Sequence, residues 1–263
     1  MEIRGSGHPL HHLAFALGRA GGQAMRLVYP PICAGCGIMT GDHAALCAVC
    51  WQSVRFIERP YCEITGAPFD HDRGEGLVSP EAIARPPAYG KARAAVFYDG
   101  VARKIAQGLK YSDRADLAEM MAAWMVRAGR DVIDDSDVII AVPLHRRRLF
   151  SRHYNQSAEL ARAVARLSGK RFLPAGLHRV RATERQVGLG LRARQDNVRG
   201  AFRTPETQKA RLFGVRILLV DDVLTTGATV EAATRALKRG GAGEVNVLTF
   251  ARVARSGEET LYA

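Results

Sequence analysis

No run in the 263 residues approaches 18 consecutive apolar side chains, so no membrane-spanning helix is expected. Aromatic residues make up only 7% of the chain and do not interleave with its basic clusters as a row of base-stacking platforms would. Cysteine is missing beyond Cys62, and nothing indicates export, which argues against a disulfide framework. The stretch from His8 to Leu17 is too short and His-rich for a signal peptide and is followed by Arg19; residues 10–29 read instead as an amphipathic helix packing on something else. A cytoplasmic protein is expected. No internal repeat or low-complexity tract is evident. Acidic residues are scarce: 26 Asp and Glu face 38 Lys and Arg, for a net charge of +12 and a pI near 10. That balance favours polyanionic partners. The length and a hydrophobic fraction of 47% allow an α/β core with a small accessory module.

The five cysteines stand at the front. Cys33-Ala34-Gly35-Cys36 and Cys47-Ala48-Val49-Cys50 form CxxC pairs, and Gly35 and Gly37 permit the tight turn that aims two thiolates at one ion. Two such knuckles supply the sulfur ligands of a closed tetrahedral zinc site. A redox CxxC is expected once, in a βαβ context, and not as a pair. Cys62 has no such partner, because Thr65 stands where a second cysteine would be needed; it reads as a buried or solitary thiol.

The most informative segment is Ile217-Leu218-Leu219-Val220-Asp221-Asp222-Val223-Leu224-Thr225-Thr226-Gly227-Ala228-Thr229. Four apolar residues predict a strand buried on both faces of a parallel sheet, with the carboxylates at its C-terminal end, where open α/β sheets bind ligands. Thr225, Thr226, Gly227, Ala228 and Thr229 can turn several backbone N–H groups toward one anion at a helix N-terminus. Asp221 and Asp222 repel phosphate but accept hydrogen bonds from hydroxyls, so a sugar phosphate satisfies both halves. A strand-to-helix turn with one N-cap Asp is the bland alternative, and it needs only a single carboxylate. No Lys follows the glycine, which disfavours a Walker nucleotide triphosphatase.

Strands are predicted at 94–98, 138–142, 217–220 and 245–251, and helices at 101–111, 117–126 and 158–167 and after Gly227. This alternation gives a doubly wound sheet. Residues 51–90, with Pro60, Pro68, Pro80, Pro86 and Pro87, read as a mostly irregular connector. The expected division is an N-terminal helical segment (1–28), a zinc-binding module (29–62), a connector (63–90) and an α/β domain (91–255). After the 138–142 strand come His145, read as structural, and Arg146, Arg147 and Arg148, candidates for contacts to phosphate or pyrophosphate. A solvated basic turn or a nucleic-acid patch fits that cluster too. Residues 179–202, rich in glycine and arginine, read as a lid over an anionic ligand or as a nucleic-acid-binding arm.

The residues 217–229 resemble the phosphoribosyl pyrophosphate (PRPP) signature of type I phosphoribosyltransferases. With the paired CxxC motifs, Leu109-Lys110-Tyr111, Tyr154-Asn155-Gln156, Gln186-Val187-Gly188-Leu189 and Asn197-Val198-Arg199-Gly200-Ala201-Phe202, the chain is similar to the ComF family. The resemblance implies an open, mainly parallel phosphoribosyltransferase-like sheet with flanking helices and a small N-terminal zinc-ribbon-like module. It implies that Asp221 and Asp222 face the ribose hydroxyls as catalytic residues, that Thr225 to Thr229 enclose the 5′-phosphate, and that Mg²⁺ accompanies PRPP. Transfer of the phosphoribosyl group to an unnamed acceptor follows, with residues 91–116, including Tyr98, Lys110 and Tyr111, as the hood that selects it. The family is linked to natural competence and DNA uptake, which leaves open a non-catalytic protein that handles single-stranded DNA or senses PRPP.

Overall fold

The structure is a computed structural model that describes residues 30–71, 74, 76–111, 116–145, 154–182 and 191–254. The predicted N-terminal helix, Arg146, Arg147 and Arg148, and residues 183–190 of the candidate lid lie outside them. Strands in chain order are β1 (Ala92–Phe97), β2 (Val138–Ala141), β3 (Arg171–Phe172), β4 (His178–Arg179), β5 (Phe202–Arg203), β6 (Ile217–Leu224) and β7 (Val245–Arg252). Helices are α1 (Ala48–Gln52), α2 (Pro80–Ala84), α3 (Gly100–Tyr111), α4 (Leu117–Ala128), α5 (Arg130–Asp134), α6 (Gln156–Ser168), α7 (Leu191–Val198), α8 (Glu206–Leu212) and α9 (Ala228–Arg239).

Five strands form one sheet in the order β1–β7–β6–β2–β3, every pair parallel. The β2 and β7 strands are buried at every residue, which is why Val138-Ile139-Ile140-Ala141 needs no polar alternation. Ile139, Leu218 and Val220 pack on one face with α3, α4 and α6. Val138, Ile140, Ile217 and Leu219 pack on the other with α7 and α9. On α6, Leu160, Ala161 and Val164 recur at helical spacing and are fully buried; burying a side chain such as Leu160 or Val164 stabilises by roughly 1.5–3 kcal/mol. That helix ends at Gly169, whose φ of 69° is a left-handed conformation open to glycine.

Three expectations change. The motif strand runs through Leu224 rather than stopping at Val220, so both carboxylates lie within β6. The two-residue strands β3, β4 and β5 are too short to carry a period; β4 and β5 form a separate antiparallel ribbon. The third change concerns the front of the chain, where a repeat is present after all. Ile32 bridges Met39 around one knuckle and Tyr61 bridges Pro68 around a second, so the stretch expected as a connector contains a compact lobe closed by α2.

The two lobes are fastened to the sheet differently. Trp124 of α4 meets Trp51 and Phe56 edge-on, at centroid distances of 5.6 and 5.1 Å, and stacks on Phe250 of β7 at 5.9 Å. Arg93 of β1, only 2% exposed, pairs with Glu63 at 2.8 Å and Asp131 at 2.7 Å. Its guanidinium also lies 4.6 Å from the Tyr61 ring centroid. Phe56 bridges Val96, so the outer edge of β1 is covered.

Candidate functional site

The chain leaves β2 toward β3 on one side and leaves β6 toward β7 on the other, although β2 and β6 are neighbours. Their C-terminal ends therefore form a topological switch point, the crevice where open α/β sheets take ligands. Asp221 and Asp222 lie on the β6 side of this crevice. From the β2 side, Asn155 Nδ2 donates to the Val142 carbonyl at 3.1 Å, fixing the entry to α6. The first turn of α6 then presents Ser157, whose hydroxyl donates to Asp221 Oδ1 at 2.8 Å. Tyr154 donates its hydroxyl to the Leu109 carbonyl and ties the same segment to α3.

The carboxylates differ in their surroundings. Asp221 is buried, and its Oδ1 also accepts the Asp222 backbone N–H at 2.9 Å. Burial first, and then the neighbouring Asp222, push its carboxyl up to about 7, against the opposing pull of Ser157, the Asp222 amide and Lys110. Asp222 accepts the Val223 amide at 2.7 Å and pairs with Lys110 Nζ at 2.5 Å, both side chains being largely buried. Burial works against the Lys110 ammonium, but Asp222 more than offsets it and holds its pKa above the ordinary value. A crevice with two carboxylates and one ammonium can accept hydrogen bonds from hydroxyls and retain a cation.

Beyond Leu224 the chain bends through Thr225, Thr226 and Gly227 into α9. Gly227 has φ 82°, and a Cβ there would meet nothing within 4 Å, so backbone conformation and not crowding demands glycine. No side chain caps the helix from that position, which leaves first-turn N–H groups of a 12-residue helix without a side-chain acceptor from the cap residue. The Thr226 hydroxyl is buried without a hydrogen-bond partner. These are the donors an anion would take. Ala228 is buried as the first helical residue, whereas Thr225 is exposed.

The structure thus brings Asp221, Asp222 and the 225–229 loop together. Sequence reasoning missed Ser157, and named Lys110 for the family resemblance and the hood but not as a partner of Asp222; Gln156-Ser157 directly after Tyr154-Asn155 was the available signal. Arg181 of the candidate lid donates to the carbonyls of Asn197 at 3.0 Å and Arg199 at 2.6 Å, bonding across the end of α7.

The sulfurs of Cys33, Cys36, Cys47 and Cys50 all lie within 4.8 Å of one another, with Cys36 and Cys47 at 3.7 Å. A tetrahedral zinc site with Zn–S bonds of about 2.3 Å sets its sulfurs about 3.8 Å apart, so the cluster suits the ion. Backbone N–H groups of Gly35 and Cys47 point at Cys33 Sγ, at 3.4 and 3.3 Å. Burial pushes the Cys33 thiol up, but the amides of Cys47, Gly35 and Cys36 outweigh it and bring it to about 6. Burial and the neighbouring thiols push Cys50 up to about 12. A divalent cation resolves that crowding by stabilising all the thiolates at once.

Among known proteins, residues 24–81 match the double zinc ribbon domain and residues 154–262 the phosphoribosyl transferase domain. The DNA utilization protein YhgH of Salmonella typhi is 30% identical over 233 residues, covering 86% of this chain and 99% of that protein. Its namesake in Escherichia coli (strain K12) is 28% identical over 232 residues, with the same coverage. Competence protein F of Haemophilus influenzae is 26% identical over 212 residues, 79% of this chain and 90% of its own. The solved "Structure of the allosteric regulatory enzyme of purine biosynthesis" overlaps 55% of this chain but only 30% of its own, at 21% identity and a TM-score of 0.37. A parallel sheet whose central strand carries paired carboxylates, a ribbon domain ahead of it and relatives aligned over most of the chain all agree: this protein belongs to the ComF family.

Proposed function

We propose that the crevice binds PRPP and transfers its phosphoribosyl group to an acceptor. The observation that carries this is the adjacency of Asp221 and Asp222 to the N-terminus of α9, which Gly227 leaves without a side-chain cap and where the buried Thr226 hydroxyl lacks a partner. Asp221 and Asp222 accept hydrogen bonds from the ribose hydroxyls. Thr225, Thr226, Gly227, Ala228 and Thr229 surround the 5′-phosphate. As the acceptor attacks C1, the bond from C1 to the pyrophosphate oxygen breaks, and the carboxylates stabilise the positive charge that develops on the sugar. Carboxylate oxygens are donors that suit Mg²⁺, which when bound supplies positive charge to the departing pyrophosphate. Arg146, Arg147 and Arg148 follow β2 in sequence and are the candidates for further pyrophosphate contacts. The four thiolates of Cys33, Cys36, Cys47 and Cys50 hold one structural zinc ion in this reading.

The test is calorimetric titration of PRPP with Mg²⁺ into wild type and the Asp221→Asn, Asp222→Asn double variant. Each hydrogen bond to a charged group contributes roughly 1.5–3 kcal/mol, so affinity should fall at least about tenfold. Equal affinities would remove the ribose role from these residues.

A second reading, single-stranded DNA handling in the cytoplasm during uptake, is favoured by the names of the relatives and by the net charge of +12. The two readings are compatible, because binding a sugar phosphate in the crevice does not exclude nucleic acid from the rest of a basic chain.

A further inference from the structure

We infer that residues 60–84 are a zinc ribbon lobe that has exchanged its metal for hydrogen bonds and a small apolar core. The inference stands apart from the phosphoribosyl reading. It rests on a point-by-point match with the four-cysteine lobe. Cys33 N–H donates to the Ile38 carbonyl at 2.7 Å, and Cys62 N–H to that of Ala67 at 2.7 Å. Gly37 donates back to Cys33 at 2.9 Å, and Gly66 to Cys62 at 2.8 Å. Thr40 donates to Pro31 at 2.9 Å, and Phe69 to Pro60 at 2.9 Å. Gly37 and Gly66 share the left-handed conformation, with φ 79° and 61°.

The match continues into the second half of each lobe. Ala34 donates to the Ala45 carbonyl at 3.0 Å, and Glu63 to that of Leu77 at 2.9 Å. Cys47 N–H points at Cys33 Sγ at 3.3 Å, and Ser79 N–H at Cys62 Sγ at 3.2 Å. Cys47 caps α1 by accepting from Cys50 N–H at 3.4 Å, and Ser79 caps α2 by accepting from Ala82 N–H at 3.3 Å. The equivalences are therefore Cys33 with Cys62, Cys36 with Thr65, Cys47 with Ser79 and Cys50 with Ala82.

One thiol, two hydroxyls and a methyl group do not make a zinc site. Cys62, Ala67 and Ala82 are instead buried together, with Ile64, Phe69 and Val78 packed around them. The lobe is also fastened from outside. Ala92 N–H donates to the Ile64 carbonyl at 2.7 Å, and Arg93 donates to the Glu63 carbonyl at 2.9 Å. The family's double ribbon thus carries one metal-binding lobe and one metal-free lobe in this chain.

The claim is tested as a difference. Full-length protein carrying Thr65→Cys, Ser79→Cys and Ala82→Cys together should hold one zinc ion more per chain than wild type, by elemental analysis. With cobalt substituted, its thiolate charge-transfer absorption should rise in step. Equal zinc content in the two proteins overturns the inference, as does loss of zinc from wild type on Cys62→Ser. Hydrogen exchange on wild type after chelation gives an independent readout should the triple variant be insoluble. The amides of Gly66 and Ala82 should stay protected while those of Gly37 and Cys50 lose protection. Simultaneous loss in both lobes overturns the metal-free assignment.

Discussion

Asp221 is a carboxyl group poised near the middle of its titration at neutral pH, because burial and Asp222 push it up to about 7. Its unfolded counterpart titrates near 3.9. Between those values the folded chain binds the proton more tightly, so this residue's stabilising contribution is complete below the lower value and is lost as pH rises through the upper one. A shift of this size corresponds to a few kcal/mol, on the order of 1.4 per pH unit. Asp221→Asn, measured without ligand, should therefore raise the melting temperature most at pH 8, with the gain shrinking toward pH 4. A gain independent of pH would contradict the shift. The charge is retained at a cost to the empty protein, as expected of a group kept for its ligand. The carboxylate pair was legible in the sequence because a buried apolar run is seldom followed at once by two acids. Ser157 was not, since the sequence separation of 64 from Asp221 is closed only by the packing of α6 on β6.

Elements with a long period were readable and short ones were not. The strands around Ile139, Leu218 and Val247 and the helices around Leu109, Met121 and Val164 declare themselves through apolar spacing. The first knuckle was legible through its cysteines, but the one around Cys62 was not, because its structure lies in backbone hydrogen bonds and in the conformation of one glycine. Pro60-Tyr61-Cys62 repeats Pro31-Ile32-Cys33, but the repeat shows once the bonds are drawn and the missing thiols are no longer its only marker. The two glycines make a paired prediction. Gly37→Ala meets nothing within 4 Å and should cost only the left-handed backbone, about 1–2 kcal/mol. Gly66→Ala adds a Cβ 2.4 Å from the Ala92 carbonyl oxygen and must also push the lobe off β1. Denaturant midpoints should fall further for Gly66→Ala; equal losses would mean that the lobe does not seat against β1 as described.

At the scale of the whole molecule, charge and topology govern behaviour. A net charge of +12 should make any affinity for a labelled single-stranded oligonucleotide fall with salt, with a log–log slope of about −0.7 for each phosphate neutralised. A slope steeper than about −2, corresponding to three or more phosphates, supports DNA handling; a flat response removes it. The order of the sheet has a different consequence, which concerns time. The strand neighbour of β1 is β7, and the contact from Lys91 to Asn246 spans 155 residues. A ribosome adding about 5–20 residues per second needs roughly 8–30 s to cover that distance. Throughout that interval the cap formed by Phe56 and the metal-free lobe rests on Trp124 of α4 and on a β1 that lacks its strand neighbour, and its seat is completed when β7 has been synthesised. A nascent chain halted before Val245 would display the ribbon and β1 together as an open edge, the form of this protein that most needs a chaperone.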